Sequence, residues 1–261
     1  MKYLRLWRRF FRLALMRQTE YRANLALALV RSFSELALLV VTYVVFYRFA
    51  DEVAGWTADE ALLLLGVYWI FDGVWTALFT SGLTRLAALI QYGELDLVLL
   101  RPASSQFLVS CRLVNVYELL KVVTGVAVVV YAGGRAGVVW SPVAVSSALV
   151  VGACGLAVMY ALRFCVVACT FWVIQISELY TLVSTFHSAA RFPVQFFQRP
   201  VRDVLTYVIP VAFATTFPAQ ALLGEADPWL VPTGIALAAG ALFVTNGFWR
   251  FALRHYTSAG G

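Results

Sequence analysis

The chain has 261 residues, of which 62% are hydrophobic and only 13% charged. Soluble domains run near ~25% charged, so a water-exposed globule is excluded and a lipid-embedded chain with several spans of ~20 residues is expected. The net charge of +6 resides in residues 1–22, where Lys2, Arg5, Arg8, Arg9, Arg12, Arg17 and Arg22 stand against Glu20; beside an apolar chain this calls for anionic lipid headgroups or a cytoplasmic partner rather than nucleic acid.

In chain order, residues 2–22 are predicted to form an amphipathic helix. Leu4, Trp7, Phe11 and Leu15 fall at i, i+3, i+7 and i+11 on one face, with Arg5, Arg8, Arg9 and Arg12 on another. That is the pattern of a helix lying in the membrane interface. A plain positive-inside anchor for the first span is the alternative, and both place the N-terminus in the cytoplasm. The basic run is too long, and lacks the small-residue cleavage site, for a cleavable signal peptide.

The first span is predicted at about 24–47, with Arg31 and Glu35 spaced i, i+4 to pair on one face. The acidic loop carrying Asp51, Glu52, Asp59 and Glu60 lacks the basic excess of an inner loop and is assigned outside. The second span, about 61–82, holds Asp72 near its middle with no partner on its own helix. Residues 83–106 then form the longest polar interruption, assigned to the cytoplasm, with Arg85, Gln91, Glu94, Asp96 and Arg101. Gly93 is placed to end a helix there. Leu95, Leu97, Leu99 and Leu100 give the loop an apolar side. That side fits a groove on a soluble partner; packing under the bundle is the alternative.

The third span is predicted at about 107–131, carrying Arg112, Glu118 and Lys121, the last two spaced to neutralise each other. Gly133, Gly134, Gly137 and Pro142 mark an external turn. The run that follows, uncharged over 136–162 and again over 164–177, is too long for one helix. Splitting it at Gln175, Ser177 and Glu178 gives spans of about 143–172 and 179–195, with Arg163 as an alternative turn. Residues 204–224 are uncharged and long enough to cross, but contain Pro210 and Pro218. Proline breaks a helix interior, and broken backbone at membrane depth needs protein or water to cover it. Residues 200–224 are therefore read as two short re-entrant helices on the outer side. The sixth span, about 229–250, ends at Arg250, Arg254 and His255, a basic end that belongs inside. The expected fold is all-α: an interfacial helix over 1–22, then a six-span domain over 23–261 with both termini in the cytoplasm, in the cell membrane.

Chemical motifs are mostly conspicuous by absence. No G-x-x-x-x-G-K-[ST] loop exists, and the lysines are Lys2 and Lys121 alone. No H-E-x-x-H or G-x-S-x-G appears. His187 and His255 are the two histidines, and His187 is expected to be a packed or interfacial residue. Cys111, Cys154, Cys165 and Cys169 lie in apolar stretches without paired spacing, so neither a disulfide framework nor a metal site is expected. Arg31, Glu35, Asp72, Arg112, Glu118, Lys121 and Arg163 are ionisable groups at membrane depth. Such groups line a path or proton relay, or else pair with one another and snorkel.

Gly93-Glu94-Leu95-Asp96 followed by Leu100-Arg101-Pro102 resembles the first cytoplasmic loop of ABC-2 type exporter permeases, nearest to a six-span branch labelled as uncharacterised ABC-type permeases. Tyr207-Val208-Ile209-Pro210, Phe217-Pro218-Ala219 and Leu223-Gly224, ahead of the last span, are similar in order and spacing. The resemblance covers essentially the whole chain. It implies a permease that dimerises with itself or a sister chain and binds cytoplasmic ABC ATPase subunits, with ATP and magnesium held by those subunits and no cofactor here. It implies a coupling region at about Thr84–Arg101, drawing on Arg85, Gln91, Glu94, Leu95, Asp96, Leu97 and Arg101, and a smaller contact near Glu178. The charged Arg-Asp turn of related permeases is represented at this second contact by Glu178 alone. A proton-coupled secondary transporter, using Asp72 or Glu118, is the alternative function.

Overall fold

The computed structural model describes residues 2–19, 22–173 and 177–256. Helix α1 (Lys2–Thr19) carries the basic face, and α2 (Arg22–Tyr47) is the first apolar helix. A short hairpin follows, β1 (Glu52–Val53) pairing antiparallel with β2 (Trp56–Thr57). The Tyr47 hydroxyl donates to the Trp56 carbonyl at 3.0 Å, tying the end of α2 to it. Thr57 and Glu60 then form a capping box that starts α3 (Ala58–Trp75). With no proline or charge run to stop it, the helix passes through a π-helical turn at Thr76–Thr80 into α4 (Ser81–Gln91). Ala58–Ile90 is one rod of 33 residues.

Gly93, at φ +69°, ends that rod in the left-handed conformation that glycine adopts without strain. Helices α5 (Asp96–Leu99) and α6 (Ser105–Cys111) complete the loop. The third crossing helix starts later than predicted. Residues 112–115 are not helical, and a 3₁₀ turn at Val116–Glu118 leads into α7 (Leu119–Arg135). The apolar helix is Val116–Arg135, so Arg112 lies ahead of it rather than within a span. The cause is a tertiary contact: the Asn115 N–H leaves its own ladder and donates to the Ala77 carbonyl in the π-helical turn, at 2.9 Å.

Ser141 caps α8 (Pro142–Ala168), its hydroxyl accepting from the Ala144 N–H at 3.0 Å, and Pro142 sits at the first helical position, where its missing N–H costs nothing. A 3₁₀ turn extends this helix to Phe171, so Arg163 is helical and no turn forms there. Helix α9 (Ser177–Ala189) has 13 residues. At 1.5 Å per residue it is about 20 Å long, short of the ~30 Å hydrocarbon core. The fifth predicted span, 179–195, is thus helical to Ala189 and irregular beyond, with a 3₁₀ turn at Val194–Phe196. Gln175 lies outside the described residues, as does the side chain of Glu178.

Helix α10 (Arg199–Asp203) runs into a π-helical turn at Val204–Val208, breaks at Ile209–Pro210, and resumes through Val211–Phe213 to α11 (Thr216–Leu223). Helix α12 (Leu230–Arg254) closes the chain. Among the described residues, five helices are long and apolar enough to cross a membrane: Ala23–Tyr47, Ala58–Ile90, Val116–Arg135, Pro142–Phe171 and Leu230–Arg254. The architecture is an all-α, multi-pass membrane domain.

Packing depends on small residues. A Cβ added at Gly66 would lie 2.9 Å from the Val129 nitrogen, and one at Gly125 would lie 2.9 Å from the Gly66 carbonyl oxygen. Helices α3 and α7 therefore touch backbone to backbone, which is how helices adhere where no hydrophobic effect drives them together. They run antiparallel, and Arg135 Nε meets Asp59 Oδ1 at 2.8 Å near the hairpin. Gly155 of α8 lies against the backbone of Phe213 and Ala214 in the broken segment. Carbonyls freed past the end of α9 find hydroxyls: Thr215 donates to Ala190 at 2.8 Å, and Tyr43 donates to Arg191. Irregular backbone here is covered by protein, as an apolar medium demands.

Candidate functional site

The charges of α2, α3 and α7 converge on one ammonium. Lys121 Nζ lies 2.7 Å from Asp72 Oδ2, 3.4 Å from Glu118 Oε2 and 3.5 Å from Glu35 Oε2. An ammonium has three N–H donors, so three carboxylates match its capacity. The Trp69 ring covers it from a centroid distance of 5.0 Å, adding a cation–π contact. Asp72, Glu118 and Lys121 are all buried.

Each carboxylate has a further partner. Glu118 also binds Arg31 of α2. Asp72 Oδ1 accepts from His187 Nε2 of α9 at 2.8 Å. With Nε2 carrying the proton, His187 Nδ1 is left as a buried atom with no hydrogen-bond partner among the described residues. Phe71, Tyr68 and Trp75 wall the imidazole, with centroids 5.1, 6.1 and 6.0 Å away. Arg163 of α8 stacks 4.6 Å over Trp75. Helices α2, α3 and α7 thus meet through one set of opposite charges, which α9 joins through the His187 imidazole.

This geometry revises one expectation. Arg31 and Glu35 do not pair with each other along α2; they reach across to Glu118 and Lys121. Asp72 has no partner on its own helix, and its partners come from α7 and α9. Glu118 and Lys121 do pair as their i, i+3 spacing suggests. His187, expected as a packed residue, is buried and also takes part in the cluster. One signal available in the sequence pointed to it: a lone histidine and a lone carboxylate on two apolar segments can satisfy each other. Pro210 and Pro218 lie apart from this cluster, Pro210 at the helix break and Pro218 inside α11 against α8.

The second region is the loop between α4 and α6. Its leucines divide into two sets. Leu95 is 0% exposed and packs into the core with Val98. Leu97 and Leu100 are 66% and 82% exposed, and Tyr92 is 76% exposed. Leu95 is therefore not available to a partner, a correction to the expectation that it fills a groove elsewhere. Its N–H donates to the Leu89 carbonyl at 3.1 Å, folding α5 back under α4. Arg85 and Glu94 form an exposed pair at 3.8 Å, which contributes little to stability. Arg101 and Arg112 line a cleft beneath α1.

A third feature is an apolar groove of about 410 Å³ between α3, α7, α8 and α11. Val67, Ile70, Val126, Leu149 and Leu156 line it, with Pro218 from α11. Among the described residues, no group of three or more His, Cys, Asp and Glu is placed to hold a metal ion. The four cysteines are free thiols.

Residues 33–260 match the family model described as ABC-2 family transporter protein. No curated protein and no solved structure shows a significant match.

Proposed function

We propose that this chain, which belongs to the ABC-2 transporter family, is the permease subunit of an ATP-driven exporter and takes its energy from a separate ATPase. The family makes it a membrane component of a transporter. The observation that carries the finer reading is the exposed apolar face of the loop: Tyr92, Leu97 and Leu100 stand out beside the polar Glu94 and Arg101. A connector has no use for such a face, whereas a coupling element must present one to the subunit that drives it. The rod Ala58–Ile90 leads from this loop to the buried charge cluster. ATP and magnesium would then be bound by the cytoplasmic partner, and this chain would contribute the path. In this reading both termini are cytoplasmic, the membrane is the cell membrane, and a second permease, identical or a sister chain, completes the path. Residues 200–224 re-enter from the outer side, with Pro210 at the break.

ATP shifts a transport equilibrium only through its differential affinity for the two states. Contact at the loop is how that difference would reach α3. The test is co-purification of the ATPase with the permease, together with ATP-dependent transport. Replacing Tyr92, Leu97 and Leu100 by serine is expected to abolish both while the permease stays folded. Retention of both activities would overturn the coupling assignment.

One observation favours a second reading, a proton-coupled secondary transporter: the buried contact of Asp72 with His187. An intramembrane carboxylate beside an imidazole is the apparatus of a proton relay. Uptake driven by a proton gradient in vesicles without ATP would select it.

A further inference from the structure

Beneath α1 lies a cleft of about 600 Å³, bounded by α1, the first residue of α4 and residues 101 and 112–117. Arg17, Arg101 and Arg112 line it, and among the described residues no carboxylate does. A smaller cavity alongside shares Arg17 and Arg112 and adds Arg85. Four guanidinium groups from α1, α4 and two loops thus face one region, and of these Arg85 is paired with Glu94. The Arg112 guanidinium is held below the usual arginine range, first by burial and then by the positive field of Arg101, Arg85 and Arg17.

The cleft is built rather than incidental. Gln18, at the end of α1, is clamped on both sides: its amide donates to the Val114 carbonyl at 3.1 Å and accepts from the Val116 N–H at 2.8 Å. Tyr117 donates to the Gln18 carbonyl. Asn115 Oδ1, a buried acceptor with no hydrogen-bond partner among the described residues, belongs to a residue of the same lining. Phe10 and Leu13 supply an apolar edge.

We propose that this cleft binds the phosphate of an anionic phospholipid headgroup and so pins the interfacial helix to the loop between α4 and α6. Guanidinium forks match phosphate oxygens in a bidentate way that a diffuse charged surface does not. The apolar edge of Phe10 and Leu13 suits the start of an acyl chain. A soluble phosphate shares the charge chemistry but has no use for that edge. The inference is independent of what is transported.

The experiment uses the full chain, delipidated in neutral detergent, with phosphatidylglycerol and phosphatidylcholine as probes and native mass spectrometry as readout. One phosphatidylglycerol per chain is expected, and phosphatidylcholine is expected to bind far more weakly. Each basic side chain near an anionic headgroup is worth about fivefold in affinity. The variant Arg17→Gln/Arg101→Gln/Arg112→Gln should therefore lose about a hundredfold. A charge-matched control, Arg5→Gln/Arg8→Gln/Arg9→Gln on α1, should lose less than about fivefold. If the cleft variant does not fold, Arg101→Gln and Arg112→Gln singly should each cost about fivefold. Equal losses in the two triple variants would overturn the site. Displacement of the lipid by millimolar inorganic phosphate would overturn the assignment to lipid in favour of a soluble phosphate.

Discussion

Removing Lys121 should damage the protein more than removing Asp72, although the two form one ion pair. Lys121→Met takes the shared cation from Asp72, Glu118 and Glu35, of which Glu118 keeps Arg31. Asp72→Leu leaves Lys121 and Arg31 balanced by Glu118 and Glu35. Stranding a buried charge costs about 3–5 kcal/mol, so Lys121→Met is expected in that range. Asp72→Leu keeps Lys121 paired but strands the His187 Nε2–H, a lost buried hydrogen bond of about 1–3 kcal/mol. The double variant removes the mismatch and should cost less than the sum of the singles by about 1–3 kcal/mol. The assay is equilibrium unfolding in mixed micelles, run as a double-mutant cycle. Additivity within about 0.5 kcal/mol, or an Asp72→Leu loss as large as that of Lys121→Met, would refute the reasoning.

Three further outcomes are expected. Leu95→Ala should destabilise the fold by about 2–5 kcal/mol, as core truncations do, whereas Leu97→Ser and Leu100→Ser should leave thermal unfolding unchanged and act only on partner binding. Gly125→Leu should cost at least about 1–3 kcal/mol by overpacking, because its Cβ would meet the α3 backbone; an unchanged melting temperature would show that α3 and α7 do not touch. A cysteine at Gly55 in the hairpin should be labelled by a membrane-impermeant reagent from outside intact cells, and one at Glu94 should not; the reverse pattern would invert the assigned topology.

Hydropathy made the long apolar helices legible, because α2, α3, α8 and α12 need little beyond length and an apolar run broken by few charges to form. It also made the helix end at Gly93 legible, since a single positive-φ residue decides it. The late start of α7 was not legible, because it depends on the Asn115 N–H finding the Ala77 carbonyl of the π-helical turn. The brevity of α9 was hidden for a similar reason. Its unwound continuation is stabilised by Thr215 and Tyr43, 25 and 148 residues away in the chain. Ion pairs were read along single helices, where spacing is visible; apart from Glu118 and Lys121, the actual partners lie across helices, where only packing decides. The charge cluster was therefore named residue by residue, while its geometry and its histidine were not. Leu95 and Leu97 looked alike for the same reason, since a four-residue helix carries too little periodicity to tell inside from outside.

The uninterrupted run Ala58–Ile90 has a mechanical consequence. At 1.5 Å per residue it is a beam about 50 Å long, in contact with α7 through Gly66 and Gly125. A close backbone contact part-way along a stiff beam is a fulcrum. Gly66 lies about 12 Å from the hairpin end and about 36 Å from the other, so a tilt of about 5° there would swing the two ends by about 1 Å and about 3 Å in opposite directions, displacements of the size by which packed helices slide in shear motions. A push at the Gly93 end would then arrive at the hairpin with its sign reversed and its amplitude cut to about a third, with no relay of loops between them.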